Sequence, residues 1–122
     1  MAKGNDLRQR TKTFSAQVIR LVSSFPRMIV TDTIGKQLLR CATSVGANYR
    51  AACRAQSQRD FVAKLAIVIE ECDETQYWPE LLREEALIAE DQFTRLHKEA
   101  DELLSIFVAS RKTSMQSRSK RP

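Results

Sequence analysis

Glycine and proline are scarce, three of each in 122 residues, which excludes collagen-like and turn-rich chains and leaves few places for regular structure to stop. The three cysteines, Cys41, Cys53 and Cys72, are odd in number and far apart, and none belongs to a Cys-x-x-Cys pair. Neither a disulfide framework nor a zinc knuckle is indicated, and ordinary core thiols are expected. The single histidine, His97, has Thr94 three residues before it, so the Glu-x-x-His pairs of a di-metal bundle are missing and His97 is expected at a surface or boundary position. With no Gly-rich phosphate loop and no Ser/His/Asp set, the sequence offers no catalytic residues, no metal site and no cofactor. The first six residues lack the apolar core of a secretory signal, and no apolar run nears the roughly 18 residues of a membrane span. A cytoplasmic protein with no membrane partner is the expectation.

What is present is 43% hydrophobic and 29% charged residues, a composition that favours long helices in one domain with one core. Helix one is expected from a cap at Asn5 to Phe25, with Leu7, Phe14, Val18, Leu21, Val22 and Phe25 on one stripe and Pro26 as the stop. Thr31 or Thr33 would open helix two, where Ile34, Leu38, Cys41, Val45, Asn48 and Ala52 alternate steps of four and three. Small residues at 42, 44, 46 and 47 suggest the tightest helix contact of the molecule, with Asn48 a structural polar residue that fixes register. Ser57, three residues before Asp60, has capping-box spacing and opens helix three after a link short enough to force antiparallel neighbours. Phe61, Leu65, Val68, Cys72, Thr75, Pro79, Leu82 and Ala86 form its seam, and Pro79 is expected to kink it. Phe93, Leu96, Ala100, Leu103 and Phe107 mark helix four, with Asp91 as a cap. The fold class that follows is all-α, an antiparallel up-and-down four-helix bundle over residues 1–110, with residues 111–122 a basic tail expected to be disordered.

Charge divides along the chain: residues 1–60 carry a net +8, residues 61–109 a net −8 and residues 110–122 a net +5. A basic front half is therefore expected to meet an acidic back half. Glu70 and Glu74 share a helix face and have the spacing of an acid–base pair, but no partner completes a mechanism. The structural reading pairs them with arginines across helices, Arg40 among them. The nucleic-acid candidates are Arg8, Arg10 and Lys12 of helix one, Arg50, Arg54 and Arg59 around the end of helix two, and Arg111 and Lys112 of the tail. Such cations supply counterion release and not base reading, and the few interleaved aromatics argue against single-strand stacking. A second apolar line on helix three, with Ile67, Trp78 and Leu81, marks an expected subunit interface.

The run of residues 36–55, KQLLRCATSVGANYRAACRA, resembles the signature of the four-helix-bundle proteins encoded in intervening sequences of bacterial 23S ribosomal RNA genes. The likeness continues through Ser57, Asp60, Phe61, Lys64, Leu65, Glu70, Glu71, Asp73, Glu74, Tyr77, Trp78, Leu81, Leu82, Glu99, Glu102, Leu103 and Phe107. Ala51 and Pro79 depart from it, standing where such proteins commonly have Glu and Leu. Members of that family are in turn distantly similar to the accessory variability determinant of diversity-generating retroelements, a basic barrel of five bundles that binds nucleic acid and a reverse transcriptase. The charge division and the second apolar line of helix three point to a non-enzymatic homo-oligomer that holds structured RNA or DNA through its basic surface and tail, and the resemblance implies that the oligomer is a pentamer. The alternative class is a protein-interaction scaffold, an adaptor for a separately encoded enzyme.

Overall fold

A computed structural model of the chain describes residues 3–119. Four helices account for nearly all of it: α1 (Lys3–Ser23), α2 (Ile29–Cys53), α3 (Gln58–Glu84) and α4 (Glu90–Ser119). The links between them are short, as the scarcity of glycine and proline requires. The four pack in a ring: α1 on α2, α2 on α3, α3 on α4, and α4 back on α1 along the thinnest seam. Contacts between α1 and α2, and between α3 and α4, pair rising with falling residue numbers: Thr11 lies by Gly46, Ser15 by Ala42 and Val22 by Gly35. Between α3 and α4 the partners are Gln58 with Ser114, Val62 with Arg111, Cys72 with Ala100 and Glu80 with His97.

The core is the set of faces that meet inside the ring. Phe14, Val18, Leu38, Val45, Leu65, Val68, Leu82, Leu103 and Phe107 are fully enclosed. The stripe expected for helix four, Phe93, Leu96, Ala100, Leu103 and Phe107, is buried throughout. The α3 seam is buried from Leu65 to Leu82, with Val62 taking the inner place expected for Phe61. On α2 the inward position belongs to Tyr49, not Asn48, and the Tyr49 ring meets Phe107 at 5.4 Å between centroids. A Cβ at Gly35 would stand 3.1 Å from Val22 Cγ1, whereas one at Gly46 would find ordinary contact at 3.5 Å from Thr11 Oγ1.

Helix ends correct several expectations. α1 already includes Asn5, so that residue is no cap, and it stops at Ser23, two residues short of Phe25. α2 starts at Ile29 with Met28 at the cap position and no side-chain cap. Thr31 sits in the first turn, where its hydroxyl donates to the Pro26 carbonyl at 2.6 Å and ties the helix to its own link. The Ser57 cap of α3 is present, its hydroxyl oxygen accepting from the Asp60 N–H at 3.0 Å. α4 opens from Ala89, whose N–H donates to the Gln92 side chain at 3.2 Å, and Asp91 lies in the first turn, where a negative charge suits the helix dipole.

α3 runs without interruption from Gln58 to Glu84, with Pro79 buried inside it. The proline removes the N–H that would meet the Thr75 carbonyl. The helix ends before Ala86, which is exposed and adopts φ 57°, closing the helix with bonds from Ala86 N–H to Arg83 and from Leu87 N–H to Leu82. At the other extreme, the tail expected to be disordered from residue 111 is the last two turns of α4, helical to Ser119. With no glycine or proline before Pro122, the helix propagates. It is also tied to α3, since Gln58 Nε2 donates to the Ser114 carbonyl at 2.9 Å. Residues 120–122 lie outside the described part.

Candidate nucleic-acid interface

Arg8, Lys12 and Ser15 recur on α1 at steps of four and three, and Thr43, Ala47, Arg50 and Arg54 recur at the same steps along α2 and its C-cap. Such spacing puts each set on one helix face. Packing of α1 on α2 turns the two faces toward a common groove of about 490 Å³ with Arg8, Lys12, Arg50 and Arg54 around it and Thr11, Ser15, Thr43 and Gly46 among its lining. No carboxylate lines it. The lining hydroxyls were not singled out by sequence reasoning, although their register with the cations was legible.

The remaining nucleic-acid candidates divide. Arg10, two residues from Arg8, points around the helix toward α4 and not into this groove. Its Nε meets Glu99 at 2.8 Å and its Nη2 meets Glu102 at 2.7 Å. These charge-assisted bonds raise the guanidinium pKa further and hold the side chain against α4. Arg10 therefore belongs to the structural ion pairs, a correction to its place in the basic surface. Arg111 is half-buried, donating from Nε to the Val62 carbonyl at 3.4 Å. Arg59 and Lys112 are exposed. The contacts of α4 with the first turns of α3 place Arg59, Arg111 and Lys112 at the same end of the bundle as Arg54.

Of the expected structural polar residues, Arg40 reaches Glu71 at 3.2 Å and also Glu74, bridging α2 to α3. Glu74 further accepts from the Trp78 indole N–H at 3.0 Å. The Arg40 bond holds the Glu74 carboxyl below its ordinary pKa against the opposing effect of burial. That is the reverse of what a general acid needs at neutral pH. Glu70 is exposed, and its place in the expected pairing is taken by Glu71. Asn48 is half-buried and donates to the Ser44 carbonyl at 2.9 Å and hydroxyl at 2.7 Å, a bond within its own helix.

Cys41 and Cys72 are buried, and burial pushes each thiol up to about 12, which removes their reactivity. Cys53 is exposed, against the expectation of a third core thiol. His97 lies at the boundary, stacked on Phe93 and 3.3 Å from Glu80. Among the described residues no cluster of histidine, cysteine and carboxylate side chains is arranged to hold a metal ion, and no helix is long and apolar enough to cross a membrane.

The residues expected at a subunit interface separate in exposure. Ile67 is 45% exposed, while Trp78 is packed against the core and Leu81 is half-buried. Tyr77 at 55% is the more exposed aromatic of that face. A second apolar surface escaped the sequence reading: Met28, Ile29 and Val30 at the corner between α1 and α2, with Ile29 83% exposed. These residues read as a link because they carry no helical period of their own.

Comparison with known proteins places this geometry in a family. Residues 3–109 match the model of the 23S rRNA-intervening sequence protein family. A crystal structure of a protein of unknown function from the S23 ribosomal protein family of Bacteroides thetaiotaomicron is 31% identical, covers 91% of this chain and 99% of its own, and superposes with a TM-score of 0.79. No curated protein matches the chain. The match over most of the sequence and the shared four-helix architecture lead to one conclusion: the chain belongs to the 23S rRNA-intervening sequence protein family.

Proposed function

We propose that this protein is a non-enzymatic, cytoplasmic, up-and-down helical bundle that self-associates and holds structured nucleic acid through the basic end formed by α1, α2 and the tip of α4. The observation that carries the reading is the groove between α1 and α2, where four cations converge with no carboxylate among the lining residues. Elsewhere the basic half is neutralised by the acidic half, as at Arg10 and Arg40. A polyanion supplies a counter-charge for Lys12, Arg50 and Arg54 that the groove lining does not, and gains from counterion release. The opposed order of contacts within the pairs α1–α2 and α3–α4, together with the short link between α2 and α3, supports the up-and-down topology.

Self-association rests on the exposed apolar side chains Ile67 and Tyr77 of α3 and on the corner of Met28, Ile29 and Val30. A pentamer is the state that the likeness to the retroelement determinant suggests, and sedimentation of the purified protein at micromolar concentration tests it, a monomer overturning it. The same apolar corner favours the second reading, an adaptor for a separately encoded enzyme. Fluorescence anisotropy with labelled structured RNA and duplex DNA at several salt concentrations tests the nucleic-acid reading. Tight binding that weakens steeply with salt supports it. Absence of binding at low salt, or binding indifferent to neutralising Arg50 and Arg54, transfers the case to the adaptor.

A further inference from the structure

The groove between α1 and α2 is more than a patch of positive charge, because its polar lining has a defined hydrogen-bonding sense. A serine or threonine hydroxyl has one hydrogen to give and two lone pairs that accept. Thr43 gives its hydrogen to helix carbonyls, lying 2.8 Å from the Leu39 oxygen and 3.2 Å from that of Arg40. Ser15 does the same, 3.2 Å from the Thr11 carbonyl and 3.2 Å from the Ala42 carbonyl across the α1–α2 contact. Thr11, beneath Gly46, gives its own to the Arg8 carbonyl at 3.0 Å. With the hydrogens committed to the backbone, Ser15 and Thr43, both half-buried, present oxygen lone pairs to a ligand. The rim of Arg8, Lys12, Arg50 and Arg54 presents only donors.

A ligand that satisfies both layers carries an anion for the rim and a hydroxyl donor for the floor. A phosphodiester joined to ribose has both. The same backbone built on deoxyribose has the anion and lacks the donor, since the 2′-hydroxyl is the group by which a protein tells RNA from DNA. Resting on the nucleic-acid reading above, we infer that this groove grips a ribose-phosphate unit, with the 2′-hydroxyl donating its one hydrogen to the oxygen of Ser15 or of Thr43 and the phosphate held by Arg50, Arg54 and Lys12. The protein is then an RNA binder by sugar identity, without reading bases. A groove of about 490 Å³ is of the size that takes one such unit.

The test compares one hairpin sequence made as RNA, as DNA and as 2′-fluoro RNA, each titrated by fluorescence anisotropy against the full chain and two variants. The 2′-fluoro strand keeps the RNA helix shape and loses the donor. RNA is expected to bind about fivefold more tightly than either of the others, the size of one neutral hydrogen bond. Ser15→Ala/Thr43→Val is expected to bring RNA down to the DNA value while leaving DNA binding unchanged. Thr43→Ser, which keeps the oxygen, retains the preference, and circular dichroism checks that each variant is folded. Equal affinity for RNA and 2′-fluoro RNA, or a preference that survives removal of both hydroxyls in a folded variant, overturns the inference and leaves the basic surface standing. Failure of all three nucleic acids to bind overturns both.

Discussion

Two kinds of seam run along this bundle, and they treat the same residue type in opposite ways. Along α1–α4 and α2–α3 a cation of one helix faces carboxylates of the next, so Arg10 finds Glu99 and Glu102, and Arg40 finds Glu71 and Glu74. Along α1–α2 two basic helices adjoin, and Arg8, Lys12, Arg50 and Arg54 line a groove with no carboxylate. Arg8 and Arg10 are two residues apart, yet one faces the groove and the other is enlisted in holding α1 to α4. The function of a cation is thus set by which neighbour its helix face meets. Net charge alone, +5 for the chain, does not make that distinction.

The comparison is broken most completely by removing the frame that both seams share. Phe107 is fully buried and touches Tyr49 across the core, so Phe107→Ala is expected to cost about 3–5 kcal/mol, read as a fall in the urea midpoint. Next in size is the groove itself. Arg50→Gln with Arg54→Gln should lower RNA affinity at least about tenfold at low salt and flatten the salt dependence by roughly two phosphate contacts, with the unfolding midpoint unchanged.

The opposite pattern is expected at the neutralised seams. Arg10→Met leaves Glu99 and Glu102 facing one another and should cost about 1 kcal/mol of stability in denaturant titration, with RNA affinity unaffected. A loss of affinity as large as that of the groove variant would erase the distinction between the two seams. The smallest effect belongs to Glu74→Gln, about 0.5 kcal/mol at neutral pH because the pair is partly exposed. Since the fold lowers the Glu74 pKa from the ordinary 4.5, its contribution is present above that value and is lost as pH falls through the lower folded value. Wild type and variant should therefore converge in acid, and a difference that persists there would show that the ion pair is not its source.

Particular residues show how far the sequence reached. The α4 stripe from Phe93 to Phe107 was legible because its apolar residues keep a clean helical step and nothing competes with them. The α2 stripe was misjudged at both ends: near its start Gly35 is buried and Ile34 only half-buried, and near its end Tyr49 takes the inward place expected for Asn48, because burying an aromatic ring gains more than burying an amide. Capping by Ser57 was readable from local spacing alone. The start of α2 was not, because Thr31 spends its hydroxyl on the Pro26 carbonyl, a bond that exists only once the link has turned back. The tip of α4 lacked any apolar period, and its order comes from helix propagation and from Gln58 reaching the α4 backbone and Arg111 the α3 backbone.

By itself the sequence determined that the chain is helical, how many helices it has, which residues most of them bury, and that charge is divided between its halves. Those properties follow from local periodicity and composition, which act within one or two turns. Tertiary structure alone decided which cations are neutralised, which carboxylate Arg40 selects, and that two faces of ordinary hydroxyls and arginines become opposite walls of one groove. These depend on the rotation of each helix about its axis and on the identity of its neighbours, quantities fixed only when the four apolar stripes pack against one another.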